Sequence, residues 1–186
     1  MIDLKEAILQ TCFERFDGQF AAGDRANNRV NLDRLAKNEE LKNYCIKQLG
    51  SLAIAYQAEF VTAVPDGANW IARNVSERFG LPLVELFKYP DTGQIDFRTK
   101  EDEEITHDLA CGALFEDVAR TFHSLQKVLA LDPLDEKVIV IGSIFDRGNP
   151  ATRNSLQVPH IPLVREYIPP LLPKNSDYWK YADGKS

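Results

Sequence analysis

The sequence predicts an α/β fold with a mostly parallel, five-stranded sheet flanked by helices. From about residue 60 onward, strand-like apolar segments alternate with segments of helical periodicity, which is the pattern of βαβ units. The clearest strand, 138–145, is continuously apolar and rich in β-branched residues, as is typical of a strand covered on both faces. The 186 residues are enough for one hydrophobic core, so we expect a single domain over 1–186.

The N-terminal part is predicted to contain two helices separated by a polar segment. Asp3 and Glu6 resemble a capping box, and apolar residues at helical spacing follow as far as Phe16. Residues 18–33 are rich in Gly, Asn and Arg and predict a loop or a short strand. Asn38 is expected to cap the second helix, which carries its own apolar stripe.

Five segments are predicted as strands: 60–64, 83–87, 113–115, 138–145 and 161–164. Pro65-Asp66-Gly67 turns the first of them into a helix that ends at Gly80. Pro162 places the last strand at an edge of the sheet, because proline cannot donate to a strand ladder. Residues 89–108 are polar and charged and predict a long loop, which in a compact domain is usually functional or disordered.

Composition and charge argue against several classes of function. The net charge of −6 disfavours a sequence-independent nucleic-acid binder, which needs a basic face. Three widely spaced cysteines show no disulfide or zinc pattern and indicate a reducing compartment. No signal peptide and no run of about 20 apolar residues is recognisable. The sequence therefore predicts a cytoplasmic protein with no membrane or nucleic-acid partner.

The most informative segment lies between the third strand and the helix that follows it. Glu116 and Asp117 come after a short apolar run, and residues 120–124 form a hydroxyl-containing turn into the helix. Open α/β sheets bind ligands at the carboxyl ends of their strands. Free N–H groups at the start of a helix suit a phosphate, and a carboxylate pair can accept hydrogen bonds from a vicinal diol. The pattern favours a phosphoribosyl site, with a solvated strand end and an ordinary helix cap as the alternative.

Residues 116–124 resemble the ribose-phosphate signature of type I phosphoribosyltransferases, and most of all that of the orotate phosphoribosyltransferase family. The signature is an apolar strand, two acidic residues and a Thr/Gly-rich turn ending in Ser, matched here by Glu116, Asp117, Thr121 and Ser124. The order of the flanking segments is also similar over residues 15–165 and includes Asp146-Arg147 after the strongest strand.

The resemblance implies four groups of site residues: one for catalysis, one for the 5-phosphate, one for pyrophosphate and one for the base. They are, in that order, Glu116, Asp117 and Lys88; Arg120, Thr121, Phe122, His123 and Ser124; Asp66, Gly67 and Ala68; and Arg25 and Arg29. The resemblance also implies a small N-terminal hood over 1–35, which contains the base-binding segment, and a mobile loop over 89–108.

The implied activity is transfer of ribose 5-phosphate from 5-phosphoribosyl 1-pyrophosphate to a nitrogen base, orotate or a related one, in nucleotide biosynthesis. Mg²⁺ would be bound mainly through the pyrophosphate-sugar substrate, with no direct protein ligand. Because the family is dimeric, the resemblance also implies a homodimer.

Several positions depart from the family's pattern. Phe122 and His123 replace two turn glycines, although glycine permits positive φ and close approach of a phosphate. Phe87 stands in place of an arginine, and Asp91 in place of the mobile-loop lysine. These departures leave two alternatives open. One is a catalytically impaired homologue that binds a phosphorylated ribose or nucleotide as a sensor or interaction module, and the other is an α/β protein that shares only the fold.

Overall fold

The computed structural model describes residues 3–19, 25–150 and 156–183. In chain order the elements are α1 Leu4–Cys12, β1 Phe13–Gln19, β2 Arg25–Val30, α2 Asp33–Ala36, α3 Glu39–Ala55, β3 Phe60–Ala63, α4 Asn69–Phe79, β4 Leu86–Lys88, β5 Ile95–Phe97, α5 Lys100–Asp108, β6 Gly112–Ala119, α6 His123–Leu129, α7 Leu134–Lys137, β7 Val138–Asp146, β8 His160–Arg165 and α8 Trp179–Asp183. None of the helices in these ranges is long and apolar enough to cross a bilayer.

The central sheet is parallel, with the strand order β3-β6-β7-β8, which confirms the predicted fold class. The prediction of a fifth strand over 83–87 is wrong in part. Leu83 makes one parallel bridge to Val61, and the chain then leaves the sheet. From Glu85 onward the backbone bonds elsewhere, since the Glu85 N–H donates to the Asp102 carboxylate and the Glu85 carbonyl accepts from Arg98. The sheet therefore has four full strands, and β8 lies at its edge as Pro162 predicted.

The first helix is shorter than its apolar spacing predicted. α1 begins with Asp3, whose side chain accepts a hydrogen bond from the Glu6 N–H, but it ends at Cys12. Residues 13–19 then pair antiparallel with β2. The prediction failed because a spacing of four residues between Cys12 and Phe16 fits a strand of period two as well as a helix. Residues 20–24 of the predicted polar segment lie outside the described residues.

The predicted long loop over 89–108 contains regular structure. β4 and β5 form a hairpin with Gly93 at a positive φ of 66° in its connection. α5 then begins with a capping box made by Thr99 and Asp102. The buried residues of α5 are Asp102 and Thr106, and both are polar. The helix therefore has no apolar stripe, and the composition of the segment resembles that of a loop. The mobility of this segment stays a prediction.

Helices and connecting segments cover the central sheet on both faces. Phe115 packs with α3 and α4 on one face, whereas its neighbour Leu114 packs with α6 and the β4–β5 hairpin on the other. This alternation follows from the pleat of a strand, in which successive side chains point to opposite faces. It decides which side of the sheet receives each residue that follows in β6.

Candidate functional site

A cavity of ≈ 340 Å³ opens where β6 ends and the chain turns into α6. The end of β3 and the β4–β5 hairpin supply its other walls, through Val64, Pro65, Gly93 and Ile95. Most of the residues predicted for catalysis and for the 5-phosphate line this one cavity: Lys88, Glu116, Arg120, Thr121, Phe122, His123 and Ser124. Residues far apart in the sequence therefore meet at the edge of the sheet where α/β folds bind ligands.

The two predicted acidic residues lie on opposite faces of the sheet. β6 extends to Ala119, so Glu116 and Asp117 lie inside the strand and not after it. Glu116 lines the cavity. Asp117 lies against Gly67, where a Cβ atom would be 2.8 Å from its Oδ2. The structure thus places one carboxyl group in the cavity and the other beside the turn that follows β3.

Both carboxyl groups hold protons more tightly than usual. Burial raises the pKa of Glu116 well above its ordinary value, and the nearby charge of Asp117 raises it further. Burial also raises the pKa of Asp117, although the Val118 N–H donates to Asp117 Oδ1 at 2.6 Å and opposes the shift. The raised pKa of Glu116 favours its neutral form, in which the carboxyl group offers the cavity both a hydrogen-bond donor and an acceptor.

The turn after β6 keeps a glycine-like bend without a glycine. Phe122 has a φ of 60°, in the left-handed region that costs an L-residue about 1–2 kcal/mol. Its ring is only 2 % exposed and packs in the core beneath the turn, a burial that contributes about 2–3 kcal/mol. Phe122 also lines the cavity, while its side chain belongs to the apolar cluster that contains Leu125 and Val128. The departure from glycine at this position thus preserves the shape of the turn.

Lys127 also lines the cavity, and the sequence reasoning missed it. It lies three residues after Ser124 on α6, and residues at this spacing share one helical face. That spacing is the signal that could have found it. With Lys88 and Arg120, it gives the cavity three cationic side chains beside the buried carboxyl group, a lining that suits a phosphorylated ligand.

The predicted pyrophosphate loop lies beside the cavity, between β3 and α4. Asp66 has a φ of 75°, a second left-handed residue close to the site. Its exposed carboxylate lies 3.9 Å from Lys88 Nζ. Gly67 and Ala68 lead into α4 without lining the cavity themselves. Strained backbone of this kind concentrates at ligand sites, and here two such residues flank one cavity.

The two arginines predicted to bind the base are placed differently. Arg25 lines a second cavity of ≈ 560 Å³, together with Arg120 and Arg147. Arg120 and Thr121 line both cavities, so the two adjoin. Arg29 instead forms an ion pair with Glu14 and lies over the ring of Phe16, and it lines neither cavity. Residues 167–171 also line the second cavity and are largely apolar.

Arg147 connects the β1–β2 hairpin to the core. Its Nη2 donates to Asn28 Oδ1 at 2.7 Å and to the Ile168 carbonyl at 2.9 Å. Burial, together with the nearby charge of Arg120, lowers the pKa of Arg147 to about 10. Asn28 in turn donates to the carbonyls of Pro169 and Pro170. The β1–β2 hairpin, the end of β7 and the C-terminal segment are thus connected through one buried guanidinium.

No family model matches the sequence, and no curated protein matches it either. Solved structures do match. The orotate phosphoribosyltransferase of Aeropyrum pernix is 18% identical, with 87% of this chain and 93% of that chain covered and a TM-score of 0.66. The UMP synthase of Leishmania donovani is 17% identical over 88% of this chain, with a TM-score of 0.65, and the match spans 36% of that longer chain.

An adenine phosphoribosyltransferase is similar to the same degree. The enzyme of Trypanosoma brucei, solved in complex with AMP, pyrophosphate and ribose-5-phosphate, is 13% identical, with 94% of this chain and 87% of that chain covered and a TM-score of 0.65. At these identities the similarity is one of fold. It confirms the fold that the motif at residues 116–124 predicted.

Proposed function

We propose that this chain, which has the type I phosphoribosyltransferase fold, transfers ribose 5-phosphate from 5-phosphoribosyl 1-pyrophosphate to a nitrogen base. One observation carries the proposal: a single cavity joins Glu116 of the sheet, the turn at 120–124 and Lys88 of the hairpin. A carboxyl group, a turn into a helix and a cation in one cavity suit the diol, the 5-phosphate and the pyrophosphate of one substrate.

Each of these groups has a role that its position allows. Glu116 exchanges hydrogen bonds with the ribose hydroxyls, and Asp117 supports it from the other face of β6. The amides of the turn and the hydroxyl groups of Thr121 and Ser124 hold the 5-phosphate. Lys88 and the turn at 66–68 stabilise the negative charge that develops on departing pyrophosphate. Because the transition state of such a transfer is loose and oxocarbenium-like, orientation and electrostatics suffice and no protein nucleophile is required.

The residues around the cavity are compatible with a Mg²⁺ ion that is held mainly by the substrate. Across the described ranges, no three His, Cys, Asp or Glu side chains are grouped to hold a metal ion. Glu116 in the cavity and Asp66 beside Lys88 offer the hard oxygen atoms that Mg²⁺ prefers. When bound, the ion would neutralise charge on pyrophosphate.

Orotate is the acceptor base that the second cavity favours. The lining of this cavity includes three arginines, Arg25, Arg120 and Arg147, together with the largely apolar residues 167–171. A planar base with a carboxylate offers a partner for an arginine side chain and a flat ring for the apolar residues, whereas adenine offers no carboxylate. We also expect the protein to be a cytoplasmic homodimer, as the resemblance implies.

Turnover by the purified protein tests the proposal. We expect the protein, supplied with 5-phosphoribosyl 1-pyrophosphate and Mg²⁺, to consume orotate, seen as a fall in orotate absorbance, and to release pyrophosphate. Adenine in place of orotate should give less product. Absence of pyrophosphate release with any base would contradict the transferase proposal.

A phosphoribosyl sensor is the second candidate function, and one observation favours it. Phe87 stands where the family has an arginine, is 44 % exposed, and stacks edge-on against Tyr89 at 5.2 Å between ring centroids. An exposed aromatic pair cannot supply the missing charge. Stabilisation of the protein by ribose 5-phosphate or a nucleotide, in the absence of turnover, would support this alternative.

The substitution Lys127→Gln tests the phosphate end of the cavity. We expect it to weaken ribose 5-phosphate binding about fivefold, because a charge-assisted contact with a phosphate contributes about 1 kcal/mol at an exposed position. Isothermal titration calorimetry measures the affinity. Lys47→Gln on the exposed side of α3 is the matched control and should leave the affinity unchanged. Equal affinities of the two variants would remove Lys127 from the site.

A further inference from the structure

The turn at 120–124 is supported from beneath by residues outside its own segment. Its left-handed residue, Phe122, directs its ring into the core, where the ring meets His160 edge-on at 5.3 Å between centroids. His160 is the first residue of β8 and lies 38 residues after Phe122 in the chain. Phe122 therefore combines the left-handed backbone that is usual for glycine with a side-chain contact to a distant part of the chain.

His160 is itself held in place by the central sheet. Its Nε2 lies 2.8 Å from Ser143 Oγ, and Ser143 is fully buried in β7. Ser143 is the register partner of Glu116 across β6 and β7. The contact between Phe122 and His160 thus ties the turn to the same pair of strands that holds the carboxyl group of the cavity.

Gly148 supports the turn from the loop after β7. A Cβ atom at Gly148 would lie 2.6 Å from the Arg120 carbonyl oxygen and 3.1 Å from Phe122 Cε2. Since the first of these contacts is with backbone, a side chain at 148 could be accepted only if the turn moved. The neighbouring Arg147 N–H donates to the Ala119 carbonyl at 2.9 Å, which fixes this loop against the start of the turn.

We propose that His160 and Gly148 are positioning residues of the phosphate turn: they hold the Phe122 ring and leave room for the Arg120 carbonyl, so that a non-glycine residue keeps the left-handed bend. A turn with glycines would need no such space beside it. Here Gly148, on the loop after β7, leaves the space that the backbone of the turn occupies. The proposal rests on the proposed function only for the identity of the ligand, because the conformation of the turn can be measured in the free protein.

Three variants test this proposal with two measurements. His160→Ala removes the ring contact, His160→Phe keeps an aromatic edge without the imidazole, and Gly148→Ala adds the obstructing Cβ atom. The first measurement is the NMR backbone chemical shifts of residues 120–124 in the free protein, which report the sign of φ at Phe122. The second is the dissociation constant for ribose 5-phosphate. Gly142→Ala is the control, because its Cβ would meet only side chains of Leu49, Leu52 and Phe115.

We expect His160→Ala and Gly148→Ala to change the resonances of the turn and to weaken ribose 5-phosphate binding about tenfold or more, as loss of a supporting contact does at other sites. His160→Phe should bind within about twofold of the original protein. Gly142→Ala should lower the melting temperature and leave both measurements unchanged.

Unchanged resonances and a retained positive φ at Phe122 in both His160→Ala and Gly148→Ala would overturn the proposal. If the unmodified protein does not bind ribose 5-phosphate, the proposed function fails, and the NMR comparison still decides whether these residues position the turn.

Discussion

The substitution Glu116→Gln is expected to lower kcat/KM for phosphoribosyl transfer by about a hundredfold. The amide keeps the volume of the side chain but offers one acceptor oxygen in place of two and cannot release a proton as positive charge develops on the ribose, and loss of one such preorganised group costs about 3 kcal/mol. Initial rates with orotate and saturating 5-phosphoribosyl 1-pyrophosphate measure the effect. Glu136→Gln, on the exposed side of α7, is the control and should keep full activity.

The same substitution is expected to stabilise the free protein at neutral and alkaline pH. Burial raises the pKa of Glu116 above its ordinary value of 4.5 in the folded state. The folded protein therefore binds this proton more tightly than the unfolded chain does. The protonated Glu116 therefore contributes its full stability at a pH below the pKa that the group has in the unfolded chain. This contribution is lost as the pH rises through the higher pKa that the group has in the folded protein.

Glutamine avoids this loss because it stays neutral. We expect Glu116→Gln to leave the free energy of unfolding nearly unchanged at pH 4 and to raise it by about 1–2 kcal/mol at pH 8. Urea unfolding at the two pH values measures the difference. A variant that is less stable than the original protein at pH 8 would show that the buried carboxyl group carries no such cost.

The substitution Arg147→Met is expected to lower the free energy of unfolding by about 3 kcal/mol. Methionine fills much of the space and removes a buried charge, which offsets part of the loss. It leaves the buried Asn28 Oδ1 and the Ile168 carbonyl without the guanidinium that donates to them, and hydrogen bonds from a charged donor contribute about 1.5–3 kcal/mol each. The β1–β2 hairpin and the C-terminal segment lose their common connection at the same time.

Thermal unfolding measures this effect as a fall in melting temperature of about 10 °C, since 1 kcal/mol corresponds to roughly 2–4 °C in a chain of this size. Arg147→Lys should recover only part of the loss, because an ammonium group cannot reproduce the planar fork. Arg78→Met, at an exposed position in the last turn of α4, is the matched control and should change the melting temperature by less than about 2 °C. Equal melting temperatures for Arg147→Met and the control would contradict the role given to Arg147.

The local sequence pattern was sufficient to predict the structure of a segment wherever one local interaction dominates that segment. The largely apolar β7 could be recognised because a strand buried on both faces lacks the alternation of apolar and exposed polar positions. Asn38 could be recognised as a cap because its side chain bonds within three residues, to the Leu41 N–H. The segment 116–124 identified the fold because a strand, a turn and a helix start are specified there by adjacent residues.

Local pattern failed where two structures share one spacing or where a side chain has a distant partner. The apolar residues up to Phe16 fit a helix and a strand equally well, and pairing with β2 decided between them. Arg29 looked available to a ligand, but Glu14 on the paired strand binds it. The hairpin and helix within 85–108 depend on Asp102 reaching back to Glu85, a contact that no composition reveals.

The sequence by itself determined the parallel sheet, the order of its strands along the chain and the segment that we propose binds a phosphoribosyl ligand, because those depend on hydrophobic period and on neighbours in the chain. Only the tertiary structure decided that Glu116 faces the cavity and Asp117 the opposite side, that the Phe122 ring lies in the core, and that Lys127, His160 and Gly148 surround the turn. The physical reason is that the direction of a side chain and the space around a turn are set by elements that pack against them from distant parts of the chain.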